Sequence, residues 1–195
     1  MTCIVGLIDK GVTYLGGDSL GSNGYSKVVR KDKKVFKLQG NSGAIIGYTS
    51  SFRMGQLLMY ADNLIEREAI MDDDVNHKYL VTKFIPKIIK LFENEGFIKN
   101  DKGEKSGGCF LLGYKDKLWQ IESDFQVGES CDQYDACGCG EEFALGSLKT
   151  TEDLEMNSIE RIHLALQSAS KFSVGVAPPY YIINTENDEV IEFND

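Results

Sequence analysis

Short apolar runs arrive in turn-linked pairs, and these pairs alternate with segments of helical period. That order constrains the fold more than any single motif. Thr2–Ile8 and Val12–Gly17 flank Asp9-Lys10-Gly11, a hairpin loop. VFKLQGNSGAIIGY reads as a second hairpin turning at QGNSG. GCFLLGY and KLWQIESD make a third around Tyr114-Lys115-Asp116, and PPYYIINTENDEVIEF a last one turning at Glu186-Asn187-Asp188. A short strand is expected at Tyr134–Cys137. SNGYSKVVRKDKK reads as a polar, basic connection, and NDKGEKSGG as a surface loop.

The helical segments lie between. Phe52, Leu57, Leu58, Ala61, Leu64 and Ile65 recur at helical spacing, with Ser50 or Ser51 available as a cap. A second helix is expected over Val75–Glu93, with Leu80, Phe84, Ile88, Leu91 and Phe92 on its apolar face. Asp72-Asp73-Asp74 lie near its positive end, Pro86 should kink or split it, and Gly96 should end it. Two further helices are expected at Glu141–Lys149 and about Ser158–Lys171, the second carrying Ile159, Ile162, Leu166 and Ala169. Tight hairpins pair antiparallel, whereas a parallel sheet needs long crossovers. The expected fold is therefore α+β, a four-layer αββα sandwich of two antiparallel sheets flanked by helices. A chain of 195 residues without internal repeat or linker suits one domain, 1–195.

Charge narrows the partners. The formal net charge is −9, which argues against nucleic acid and against an anionic membrane surface. CIVGLI is too short for a signal sequence, and no apolar run approaches a membrane span. The five cysteines are odd in number, so reduced thiols and a cytoplasmic location are expected. Cys131, Cys137 and Cys139 match no standard zinc spacing, and no metal or cofactor is expected. His77 and His163 fall on helical segments and read as surface or packing residues, and Trp119 as a strand residue in the core.

Several blocks carry a resemblance when taken together. They are the opening TCIVGLIDKGVTYLGGDSLG, then RKDKKVFKL, AIIGYTSSF and GCGEEFALGSL, with SVGVAPPYYIIN a weaker match. In that order and spacing the chain resembles the proteasome β-type N-terminal nucleophile hydrolases, the superfamily that includes the bacterial HslV-type peptidase. Thr2, Asp18 and Lys34 stand sixteen residues apart each time, as the resemblance requires.

The chemistry explains those residue types. A threonine hydroxyl is a poor nucleophile and needs a base. Once Met1 is removed, the α-amine of Thr2 titrates near ~8 and can take the hydroxyl proton, through a water. Lys34 would set a cation beside Thr2, lowering the pKa of that amine, and Asp18 would hold Lys34 charged and oriented. The resemblance further implies that the backbone N–H of Gly47 stabilises the oxyanion. It implies that residues after Asp18 and from Ile46 to Thr49 line the first specificity pocket, where an apolar Ile46 would favour an apolar substrate residue. Peptide or protein substrates, a homo-oligomeric ring and an ATP-dependent unfoldase partner are implied in the same way.

Departures from the pattern concentrate behind the nucleophile. Cys139 stands in Gly138-Cys139-Gly140 where the family has serine, and a thiol is the weaker hydrogen-bonding group. Ser173 and Val176 align with an aspartate and a serine that support the N-terminus in the family. Cys3 is the alternative nucleophile if two residues are lost, but Asp18 and Lys34 keep their register to Thr2. Two other functions compete with the peptidase reading. One is a silent structural or assembly subunit, although the leading helix of α-type proteasome subunits is missing here. The other is an amidase acting on a small non-peptide amide.

Overall fold

The computed structural model of the chain describes residues 1–40, 43–101 and 103–195. Strand β1 (Cys3–Asp9) returns through Lys10 and Gly11, both at positive φ, into β2 (Val12–Gly17). This is the turn geometry that matches strand twist in a two-residue hairpin. The expected basic connection contains a small hairpin of its own, β3 (Leu20–Ser22) with β4 (Lys27–Val29). β5 (Val35–Lys37) and β6 (Ile45–Tyr48) pair as expected; Asn41 and Ser42 of their turn lie outside the described residues.

Helix α1 (Phe52–Tyr60) begins at Ser51, whose hydroxyl accepts from the Met54 N–H. It is shorter than its periodicity suggests. Ala61 is extended and Asn63 turns left-handed at φ 52°, so Leu64 and Ile65 reach the core from irregular backbone. After α2 (Arg67–Met71) comes α3 (His77–Tyr79), which runs through a π-helical turn at Leu80–Phe84 into α4 (Ile85–Asn94). Pro86 thus sits in the first turn of a new α segment, where its missing N–H costs little. Gly96 ends the helix at φ 65°. The expected surface loop forms an exposed hairpin, β7 (Lys99–Asp101) with β8 (Glu104–Ser106), although its Lys102 lies outside the described residues.

β9 (Phe110–Tyr114) and β10 (Lys117–Ile121) form the third hairpin, followed by β11 (Val127–Gly128) and β12 (Tyr134–Gly138). Helices α5 (Glu141–Thr150) and α6 (Ser158–Phe172) precede the last pair, β13 (Tyr180–Asn184) and β14 (Ile191–Phe193). Asn157 and Glu160 close a reciprocal capping box at the start of α6.

Two five-stranded sheets result, β12-β1-β2-β13-β14 and β11-β10-β9-β6-β5. Every strand pairing among the described residues is antiparallel. The alternation along β1 explains the layers. Cys3, Val5 and Leu7 pack with Ile162, Leu166 and Ala169 of α6, while Ile4 points the other way into a core shared with Leu15, Val35, Ile45 and Leu111. Phe36, Ile46, Leu112 and Trp119 on the far face of the second sheet meet α1 and α4. The architecture is the expected αββα sandwich. The bare Gly16 lets α6 approach β2, since a Cβ there would lie 2.3 Å from Ile162 Cγ2.

Candidate active site

Thr2, Asp18 and Lys34 reach one point from three places in the fold. Thr2 immediately precedes β1, and Asp18 immediately follows β2. The β1–β2 register, Ile4 opposite Gly17, brings them to the same end of the first sheet. Lys34 precedes β5 in the second sheet, so its side chain crosses between the sheets. The bare Cα of Gly17 lets the two sheets close together at this end, as a Cβ there would lie 2.9 Å from Ile4 Cδ1 and 3.1 Å from Val35 Cγ1.

All three side chains are buried, with relative exposures of 4% for Thr2, 0% for Asp18 and 1% for Lys34. The Lys34 ammonium donates to Thr2 Oγ1 at 2.9 Å, Asp18 Oδ1 at 2.9 Å and the Leu20 carbonyl at 2.7 Å. Its three N–H groups are thereby matched to three acceptors. Asp18 also accepts from the backbone N–H groups of Cys3 and Leu20, both at 3.0 Å, and of Ala177 at 3.4 Å. Burial lowers the Lys34 pKa below the ordinary lysine value, opposed by the adjacent Asp18 carboxylate. Burial raises Asp18, opposed by Lys34 and by the backbone donors. Such a pair holds only because its hydrogen bonds are complete.

The Thr2 hydroxyl accepts from Lys34 and donates to the Met1 carbonyl. Its proton therefore points away from the lysine. The Thr2 N–H donates to Cys139 Sγ at 3.3 Å, and the Cys139 thiol returns a 3.4 Å contact to the Thr2 carbonyl. Ser173 Oγ donates to the same sulfur at 3.3 Å. Cys139 thus contacts Thr2 directly, and Ser173 reaches it through the Cys139 sulfur. Val176 is buried in the core under α6, while the neighbouring Ala177 N–H supplies a donor to Asp18. Burial, with the Asp18 carboxylate nearby, pushes the Cys3 thiol well above its ordinary pKa.

A cavity of about 80 Å³ opens on this cluster, lined by Thr2, Lys34, Tyr48, Thr49, Ser50 and Phe52 among others. Thr49 is one of its walls. Ile46 and Gly47 do not line it. Ile46 is fully buried in the core facing α1 and α4, so it cannot contact a ligand there. Gly47 pairs with Val35 on one side and Leu111 on the other, inside the ladder. A Cβ on Gly47 would lie 2.4 Å from Ile4 Cγ2, so the glycine serves sheet-on-sheet packing.

The sequence reading missed Ser50 as a wall of the cavity. It adopts φ 69°, and the tight turn it makes lets the Ser51 N–H donate to the Thr49 carbonyl at 2.8 Å. The Ser50 N–H has no acceptor among the described residues. The only sequence signal is the Ser-Ser pair that ends a strand before a helix. Of the other groups singled out, Trp119 is buried in the helix-facing core, His77 contacts the Val127 carbonyl, and His163 stacks on Phe193. Among the described residues no cluster of histidine, cysteine and carboxylate groups has the form of a metal site. No helix among them is long and apolar enough to cross a membrane.

No family model matches the chain, and no curated protein matches it in sequence. Its backbone does match solved structures. BPH of Thiobacillus denitrificans, solved in complex with epoxomicin, superimposes with a TM-score of 0.69 at 13% identity, covering 93% of this chain and 97% of that one. The eukaryotic HslV of Trypanosoma brucei gives 0.68 at 16%, covering 93% and 98%. A Gly-1 mutant of Anbu from Hyphomicrobium sp. strain MC1 gives 0.70 at 12%, covering 100% and 88%. The chain has the fold of the proteasome β and HslV type.

Proposed function

We propose that the chain is a threonine-type peptidase or amidohydrolase, with Thr2 as its N-terminal nucleophile after loss of Met1. The observation that carries this reading is the buried Lys34 ammonium, shared between the Thr2 hydroxyl and the Asp18 carboxylate. With Met1 gone, the Thr2 nitrogen is a free amine that takes the hydroxyl proton, directly or through a water. Thr2 Oγ then attacks the amide carbonyl while Lys34 stabilises the developing negative charge on Oγ. The Ser50 N–H, rather than that of Gly47, is the donor suited to the oxyanion. Collapse breaks the C–N bond, the leaving amine takes the proton from the α-ammonium, and water later hydrolyses the ester on Oγ.

The fold neighbours support peptide bonds as the substrate class, and a homo-oligomeric ring and an unfoldase partner by analogy of fold. Peptide hydrolysis tests the activity. The wild type turns over short peptide amides, Thr2→Ala does not, and Thr2→Ser retains part of the rate. Equal rates in wild type and Thr2→Ala overturn the assignment.

A further inference from the structure

A second cavity adjoins the Thr2 cavity. It has a volume of about 240 Å³ and shares Ser22 and Phe52 with the smaller one. Its remaining walls come from the β3–β4 hairpin, chiefly Asn23, Ser26, Lys27 and Arg30. Two of these are cations and none is a carboxylate. The contrast with the rest of the molecule is sharp, because KVVRKDKK, residues 27–34, holds five basic side chains and one acid in a chain of net charge −9.

Arg30 is held in place rather than free to wander. Asp32 accepts from its Nε at 2.7 Å and from its Nη2 at 2.6 Å, and the guanidinium lies 3.9 Å over the Phe52 ring. Its backbone N–H donates to the Ser19 carbonyl at 3.1 Å, next to Asp18. The third nitrogen, Nη1, has no acceptor among the described residues, and Asp32 is not a wall of the cavity. An oriented guanidinium with one uncommitted edge suits a carboxylate. Ser22, Asn23 and Ser26 add polar groups, and an exposed Lys27 adds charge.

We propose that this cavity selects an acidic side chain on the acyl side of the scissile amide, with Arg30 and Lys27 as its specificity-determining residues. The inference rests on Thr2 as the nucleophile. It replaces the apolar preference expected from Ile46, which is sealed in the core. The acyl side is the part kept on Thr2 after the first bond breaks, so its nearest side chain falls within reach of a cavity that shares walls with the nucleophile's own.

Acetyl-Ala-Ala-Glu, -Leu and -Lys coumarylamides test it. The wild type favours Glu over Lys in kcat/KM by about tenfold or more (~1.4 kcal/mol). The ratio shrinks as salt is raised. Lys27→Glu, on an exposed strand, lowers or inverts it. A wild-type ratio at or below one overturns the proposal, and so does a ratio unmoved by Lys27→Glu. Binding of acetyl-Ala-Ala-Glu-amide and its Lys counterpart to the Thr2→Ala protein, followed by amide shifts at Ser22 and Ser26, separates this proposal from the catalytic one. Tighter binding of the Glu peptide supports the cavity's selectivity even if no variant hydrolyses anything; equal binding rejects it even if Thr2 proves to be the nucleophile.

Discussion

The Lys34 ammonium nitrogen lies 2.9 Å from the Thr2 hydroxyl oxygen, in a buried site that opens on the small cavity and is fed by both sheets of the sandwich. That contact ties the chemistry to the architecture. Lys34 reaches Thr2 only because the second sheet packs on the first, so the site exists only in the folded chain.

Lys34→Met should therefore injure stability and activity together. It leaves the buried Asp18 with backbone donors alone, a loss of about 3–5 kcal/mol. Adding Asp18→Leu removes the orphaned carboxylate and should recover part of that stability without recovering hydrolysis. Denaturant melts and peptide turnover on the two variants check both halves. Recovery of hydrolysis by the double variant would argue against Lys34.

The pH profile follows from the same pair. On the proposed mechanism, activity needs the Thr2 α-amine neutral, Lys34 charged and Asp18 ionised. Burial lowers Lys34 from its ordinary 10.5, so the alkaline fall begins below that value. Burial raises Asp18 from 3.8, so the acid fall begins above it. The sign for stability is opposite to that of an ordinary paired carboxylate. A carboxyl whose folded pKa is raised stabilises the fold at low pH, and that contribution is lost as pH rises through the folded pKa. The acid loss of kcat/KM should thus precede loss of the circular dichroism signal, and coincident losses would contradict it.

Cys139→Ser places a stronger hydrogen-bonding group where a thiol contacts the Thr2 nitrogen. Turnover should rise roughly fivefold, the worth of about one hydrogen bond. Steady-state rates show whether the thiol limits the enzyme; an unchanged rate says it does not.

Gly47→Ala separates packing from chemistry. Its new methyl meets Ile4 between the sheets, and the expected cost is about 1–3 kcal/mol in a denaturant melt. A variant as stable as the wild type would contradict the packing assigned to Gly47.

The layers were legible in the sequence because period-two and period-3.6 patterns report which face is buried, and hairpin turns report antiparallel pairing. The meeting of Thr2, Asp18 and Lys34 was legible only through the spacing that the resemblance supplied. What escaped was set by tertiary context. Extended backbone at Ala61 cut α1 short, and the π-helical turn before Pro86 kept one helical track where a break was also possible. Ile46 and Gly47 have neighbours of the right type for a pocket, but the strand's alternation turns one toward the helices and the other toward Ile4. Ser50 was invisible because nothing in a Ser-Ser pair announces a positive φ.

The most direct test is intact mass before and after treatment with an epoxyketone such as epoxomicin, in wild type and Thr2→Ala. The wild type should lack Met1 and gain one probe mass, and Thr2→Ala should gain none. A wild type that retains Met1 and takes no probe, or labelling that persists in Thr2→Ala, would contradict Thr2 as the nucleophile.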